Sequence, residues 1–137
     1  MKQMFFSALA AVFLAGPVSA AGFLYECDVK DHERARGWIS PKIAIIFPDE
    51  DTVQIVDALT LTFVKKPVTG TILRNNAKRL IVKWEIEGMK ADNGQSFAGV
   101  NYRASISKAT GAVDIKTIPN GYDKGLSGQG SCKKRNK

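Results

Sequence analysis

Histidine and cysteine are scarce in this chain. Its 137 residues include one histidine, His32, and two cysteines, Cys27 and Cys132. Hydrolases of the common kinds need a positioned base, most often histidine, and zinc sites need several cysteine or histidine ligands. His32 stands between Asp31 and Glu33, but adjacent residues in a loop point in different directions, so we interpret it as an exposed loop residue. The sequence therefore favours a non-enzymatic protein without a metal or cofactor.

Other motifs that carry chemistry are also missing. The sequence contains no glycine-rich phosphate loop, no nucleophile elbow and no zinc ribbon. Three consecutive carboxylates occur in PDED at 48–51, but they lack the spaced ligands of a calcium loop and indicate a solvated turn. We find no internal repeat or low-complexity tract.

Long apolar runs are absent except near the N-terminus. The segment MFFSALAAVFLAG at 4–16 follows Lys2 and precedes the small residues of PVSA, which end at Ala20. This order is typical of a secretory signal, and the run is shorter than the roughly 20 helical residues that span a bilayer. We predict that residues 1–20 are a signal peptide and that the protein is periplasmic or secreted and does not span a membrane.

Export places both cysteines in an oxidising compartment, where paired thiols usually form disulfides. We therefore predict a disulfide between Cys27 and Cys132, which stabilises by about 4 to 5 kcal/mol in the chain-entropy model for a loop of about 100 residues. The chain without its signal has the size of one domain. We predict a single domain at 21–132, followed by a mobile basic tail at 133–137.

The body of the chain has the alternation of β-strands. In segments 79–87 and 100–107, apolar residues alternate with polar ones at the period of two expected for a strand with one wet face. Segments 59–63 and 112–118 follow the same pattern. Turn signals rich in Gly, Asn and Asp separate these runs, and we interpret the only weak helical candidate, 31–38, as a loop.

About eight short strands at hairpin spacing predict an all-β fold, either an antiparallel up-and-down barrel or a closed sandwich. Closure removes exposed strand edges. Cys27 and Cys132 both have inward parity in the first and last strands, so pairing of these strands would let the disulfide join them. Gly128 and Gly130 in the last strand leave space for an aromatic ring from the first strand, or else mark a bend or bulge.

Positive charge is unevenly distributed, and this is the most specific functional signal. The formal net charge is +7, and the segment 58–84 contains six basic residues and no acidic one. A second basic group follows Cys132. The predicted anion-binding residues are Lys65, Lys66, Arg74, Lys78, Arg79, Lys83, Lys133, Lys134 and Arg135.

Basic clusters attract anionic partners. For an exported protein we expect an anionic envelope component or an acidic protein face. Export argues against nucleic acid, and the chain lacks an aromatic platform for single strands. The alternative interpretation is that these cations keep a β-protein soluble and protect its strand edges.

The two ends of the chain resemble those of a known family. Tyr25 and Cys27 in an early strand, together with Cys132 followed by Lys133, are similar to the small periplasmic barrels of the membrane-bound c-type lysozyme inhibitor group. The resemblance implies inhibition of a secreted hydrolase. It covers only the ends and the strand rhythm, and because Trp84 is followed by Glu-Ile-Glu, the family's inhibitory loop has no counterpart. A further alternative is a small lipid-like ligand inside the barrel, since eight-stranded barrels either fill with side chains or hold one small ligand.

Overall fold

The computed structural model describes residues 22–30, 37–90, 93–94, 96–97, 99–119 and 125–136. The predicted signal segment at 1–20 and the single histidine, His32, lie outside the described residues. Within the described part, no helix is long and apolar enough to cross a bilayer.

The described residues form eleven strands, and every pair of neighbouring strands is antiparallel. This confirms the predicted all-β fold. The strands are β1 (Phe23–Val29), β2 (Lys42–Phe47), β3 (Gln54–Asp57), β4 (Val68–Thr69), β5 (Thr71–Asn75), β6 (Arg79–Ile86), β7 (Met89–Lys90), β8 (Ser96–Phe97), β9 (Val100–Ser107), β10 (Ala112–Thr117) and β11 (Leu126–Asn136).

Nine of these strands form one nearly closed barrel. Their order is β4-β3-β2-β1-β11-β10-β9-β6-β5, while β7 and β8 form a separate hairpin between β6 and β9. The two outermost strands, β4 and β5, are consecutive in the chain and are separated only by Gly70. If β4 and β5 are counted as one bent strand, the barrel has eight strands with up-and-down connections.

Gly70 lies where the two edges of the sheet approach each other. Its N–H donates to the carbonyl oxygen of Val53 at 2.9 Å, just before β3. A Cβ at this position would lie 2.8 Å from the carbonyl oxygen of Lys83 on β6. Because such a contact is closer than a Cβ tolerates, the bend that brings β4 to β3 and β5 to β6 requires glycine.

Alternate residues of the long strands point into the barrel. On β6 the inward residues Leu80, Val82, Trp84 and Ile86 are all buried, as the alternation predicts. The ring of Trp84 stacks on that of Tyr102 from β9, with centroids 5.4 Å apart and planes at 7°. Full burial of an aliphatic or aromatic side chain stabilises by about 1.5 to 3 kcal/mol. Such inward residues from around the barrel form one continuous core.

The disulfide between Cys27 and Cys132 is present and joins the first and last strands, as predicted. The two cysteines are directly opposite each other in the pairing of β1 with β11. They are separated by 105 positions in the sequence. The disulfide therefore links two strands that are neighbours in the barrel but are the first and the last in the chain.

The glycines of β11 allow close approach of β1. A Cβ on Gly128 would lie 2.7 Å from Cγ1 of Val29, and one on Gly130 would lie 1.8 Å from the carbonyl oxygen of Asp28. The space beside these glycines is thus taken by the backbone, by Val29 and by Ile39, whose Cγ2 would lie 3.5 Å from a Cβ on Gly128, and an aromatic ring does not fill it.

The segment 59–63 is not the strand that its alternation predicts. Residues Thr60–Val64 form a π-helical turn. The reason lies just before it: the N–H of Thr60 donates to Oδ1 of Asp57 at 2.7 Å, and the N–H of Asp57 donates to the hydroxyl of Thr60 at 2.9 Å. This reciprocal pair supplies partners for backbone N–H groups at the start of a helical turn, as a capping box does. Five alternating residues satisfy a strand pattern, but the local hydrogen bonds decide the conformation.

The last strand is longer than the sequence suggests. We predicted a domain that ends at Cys132 and a mobile tail at 133–137, whereas β11 continues to Asn136. Residues 133–136 pair with residues 23–26 of β1. Antiparallel pairing gives these backbone groups hydrogen-bond partners, and it carries the cations after Cys132 onto the barrel wall.

Candidate anion-binding surface

The nine predicted cations do not form one site, because the fold distributes them over three places. Lys65 and Lys66 follow the π-helical turn, and Lys65 ends that turn in the left-handed conformation with φ 64°. Lys66 lines a shallow groove that also contains Glu85 and Glu87. These two carboxylates reduce the positive potential there, so this place is a weak candidate for anion binding.

The cations of β11 have partners within the chain. Nε of Arg135 lies 2.7 Å from Oε2 of Glu26, and Lys133 is directly opposite Glu26 in the register. Nζ of Lys134 lies 4.4 Å from the centroid of the Phe23 ring, a cation–π contact. Exposed pairs of this kind contribute about 0 to 1 kcal/mol. They hold the end of β11 against β1 and leave less charge for an outside partner.

The remaining predicted cations lie on the outer wall made by β5 and β6. The alternation of β6 turns Arg79 and Lys83 outwards. Arg74 shares this face because a bulge between Ile72 and Arg74 shifts the register of β5. Arg79 donates from Nη1 to the hydroxyl of Ser105 on β9 at 2.7 Å. Lys78 lies exposed in the turn that joins β5 to β6.

The register of β6, β9 and β10 places three cations in one line across the wall. Lys83 is directly opposite Arg103, and Arg103 is directly opposite Lys116. We refer to Lys83, Arg103 and Lys116 as the cationic row. Side chains directly opposite each other have Cβ atoms about 4.5 to 5.5 Å apart, and like charges there destabilise the sheet.

The cationic row has few ion pairs among the described residues. Nζ of Lys116 lies 3.8 Å from Oδ2 of Asp114, a loose contact between exposed groups. In the part of the chain that the structure describes, Lys83 and Arg103 have no ion-pair partner within 4.0 Å. Lys83 and Arg103 therefore lie side by side without an ion pair, while Glu85 shares the outward face of β6 with Lys83 and Asp114 lines a groove with Arg103 and Lys116.

The cationic row lines a surface groove of about 520 Å³. Leu73 of β5 and Ile118, which follows β10, line the same groove. Both are unusually exposed for large aliphatic side chains, Leu73 at 46% and Ile118 at 66%. The groove thus has a cationic centre and an apolar residue contributed from each side.

One apolar residue, Ile81, is buried on the outer face of the wall formed by β5 and β6. Ile81 has outward parity on β6, yet only 6% of its surface is exposed. Its cross-strand neighbours are Arg74 and Ser105, and Arg79 and Lys83 lie two residues away on the same strand. Arginine and lysine cover apolar surface with their aliphatic stems while their charged ends stay in water. We infer that the cations surrounding Ile81 are packed against the wall by such contacts.

Arg103 and Lys116 were missed by the sequence-based prediction. Each is a lone cation within its own strand segment, so neither contributes to a run of positive charge. The available signal was parity, because both have outward positions in segments that alternate cleanly. Parity alone does not show that these residues are neighbours of Lys83.

The titratable groups inside the barrel have structural roles. Burial raises the pKa of Asp57, whose carboxylate accepts the N–H of Thr60. Burial, with the charge of Asp57, raises the pKa of Tyr102, whose hydroxyl donates to the carbonyl oxygen of Trp38 at 2.7 Å. Among the described residues no group of three or more His, Cys, Asp or Glu side chains could hold a metal ion.

Comparisons with known proteins add no relative. No protein-family model, curated protein or solved structure matches the chain. The resemblance of its ends to the lysozyme inhibitor group, and with it the inhibition of a hydrolase, therefore stays a prediction. A ligand inside the barrel also stays a prediction, and the inward side chains form a continuous core.

Proposed function

We propose that this protein is an exported, non-enzymatic binding module that recognises an anionic partner through the cationic row. The partner is an anionic component of the cell envelope or an acidic protein face. Export rests on the predicted signal at 1–20 and on the disulfide that an oxidising compartment favours.

The observation that carries the proposal is the direct opposition of Lys83, Arg103 and Lys116 on three neighbouring strands. Like charges directly opposite each other destabilise a sheet. Solubility alone does not require this arrangement, because scattered cations serve it equally well. An anion bound over the row attracts all three cations, and this attraction offsets their mutual repulsion.

The three charges act together at physiological salt. Neighbouring strands are about 4.8 Å apart, so the row extends over about 10 Å, close to the Debye length of about 8 Å at 0.15 M. A phosphate or carboxylate group over Arg103 is therefore attracted by Lys83 and Lys116 as well. This predicts recognition of dense negative charge in preference to single anions.

The proposal is tested by measuring the binding of the chain without its predicted signal, residues 21–137, to soluble polyphosphate at several salt concentrations. The test variant carries Lys83→Gln, Arg103→Gln and Lys116→Gln. At about 1 kcal/mol for each contact at 4 Å in water, the loss of three contacts lowers the affinity by roughly 100-fold.

The matched control removes three cations that do not line the groove and are not among the predicted anion-binding residues. It carries Lys30→Gln, Lys42→Gln and Lys108→Gln, so its net charge changes by the same amount. We expect it to bind nearly as tightly as the unaltered protein. Equal loss in both variants, or affinity that does not fall with salt, would show that the row is not a binding site.

A further inference from the structure

The groove contains exposed apolar side chains in addition to the cations that an ionic contact requires. The three large hydrophobic side chains with high exposure among the described residues are Leu61, Leu73 and Ile118, and two of them line the groove. Leu73 is the residue without a cross-strand partner in the β5 bulge between Ile72 and Arg74, and both Leu73 and Arg74 are exposed. Ile118 directly follows the last residue of β10. Exposed aliphatic residues on two sides of a charged row form an amphipathic surface.

We propose that this groove docks the protein onto an anionic phospholipid bilayer. The lipid phosphates lie over the cationic row, while Leu73 and Ile118 enter the boundary between headgroups and acyl chains. This inference rests on the proposed function, because it names the anionic partner of the same surface.

Charge and apolar exposure together select the bilayer as the occupant. Basic residues near an anionic membrane surface and aliphatic residues at the acyl boundary both contribute to interfacial binding. A free phosphate or a soluble polyanion would use the cationic row but would leave Leu73 and Ile118 in water. An acidic protein face is the competing occupant, and the experiment below separates it from lipid.

Leu61, which lies outside the groove, serves as a comparison residue for Leu73 and Ile118. Leu61 is 53% exposed, similar to Leu73 and Ile118, but it belongs to the π-helical turn and does not line the groove. A change at Leu61 therefore alters exposed apolar surface by a similar amount without altering the proposed contact.

The test is flotation of the chain without its predicted signal, residues 21–137, with phosphatidylcholine vesicles that contain or lack phosphatidylglycerol. We expect binding only when phosphatidylglycerol is present. Leu73→Thr combined with Ile118→Thr should lower vesicle affinity about tenfold, because partial burial of two aliphatic side chains is lost. Threonine retains β-propensity. The double variant should bind soluble polyphosphate as tightly as the unaltered protein, and Leu61→Thr should change neither affinity.

Three results would overturn the inference. Vesicle binding that is equal in the double variant and the unaltered protein, equal binding to pure phosphatidylcholine, or tighter binding to polyglutamate than to anionic vesicles would each contradict lipid docking. If polyphosphate binding persists in these cases, the proposed function stands while the lipid inference fails. If the protein binds neither polyphosphate nor anionic vesicles, both fail.

A second variant keeps the test independent of the double substitution. Ile118→Trp places a fluorescent ring where the apolar contact is proposed. Its additional emission, relative to the unaltered protein, should shift to shorter wavelength when anionic vesicles are added, because the ring leaves water. An unchanged spectrum in the presence of bound vesicles would place Ile118 outside the contact and overturn the inference.

Discussion

Replacing Arg103 with glutamine should stabilise the barrel while it weakens anion binding. Arg103 is the middle residue of the cationic row, so this one change removes its repulsion with both Lys83 and Lys116. Two unit charges about 4 Å apart in water repel by about 1 kcal/mol, so removal of two such pairs should raise the free energy of unfolding by up to about 2 kcal/mol at low salt. Such a gain in stability with a loss of binding is the expected signature of a functional site.

Salt provides an internal check on the cause. The Debye length is about 30 Å at 0.01 M and about 3 Å at 1 M ionic strength, so repulsion between exposed charges is strong at the first condition and screened at the second. The stability difference between Arg103→Gln and the unaltered protein should therefore shrink as salt increases. A difference caused by altered packing or strand propensity would not depend on salt in this way.

The assay is urea unfolding of both proteins at low and high salt. The midpoint should move to higher urea in the variant with an unchanged slope, because the surface exposed on unfolding is the same. Lys42→Gln is the control, since it removes a cation whose Nζ lies 3.9 Å from Oδ1 of Asp28. Loss of that exposed pair should leave stability unchanged or lower it by up to about 1 kcal/mol.

The reasoning would be refuted if Arg103→Gln were less stable than the unaltered protein at low salt. It would also fail if the gain persisted undiminished at high salt. If stability rises as expected but polyphosphate binding is unaffected, the repulsion is real and the functional interpretation of the row is wrong.

Two further predictions concern the fold. Cys27→Ala combined with Cys132→Ala should lower the free energy of unfolding by about 4 to 5 kcal/mol, because the unfolded chain is no longer constrained by a closed loop of about 100 residues. Urea unfolding measures this loss. A loss below about 1 kcal/mol would contradict the entropic account. Burial raises the pKa of Asp57 above its usual 3.8, so its contribution to stability is full below that value and is lost as the pH rises through the raised pKa. Asp57→Asn, which keeps an oxygen for the N–H of Thr60, should flatten this dependence and stabilise the protein at neutral pH, and unfolding at several pH values would contradict this if the variant followed the same curve.

Much of the fold could be predicted from local pattern. The predicted segment 100–107 coincides with β9, and 79–87 exceeds β6 by one residue, because regular alternation indicates one buried face and one exposed face. The disulfide was predicted from the expected export and from the presence of only two cysteines, and the structure contains it. The predicted strand at 59–63 is wrong because the hydrogen bonds between Asp57 and Thr60 favour a helical turn. The predicted tail after Cys132 is wrong because β1 is long enough to pair with residues 133–136.

For β6, β9 and β10, the sequence by itself determined that the segments are strands and that Lys83, Arg103 and Lys116 each point to solvent. Only the tertiary structure decided that these three cations are neighbours and that Leu73 and Ile118 line the same groove. The physical reason is that side-chain parity is a property of each strand, whereas register is a property of strand pairs that are distant in the chain. Closure of the barrel fixes that register.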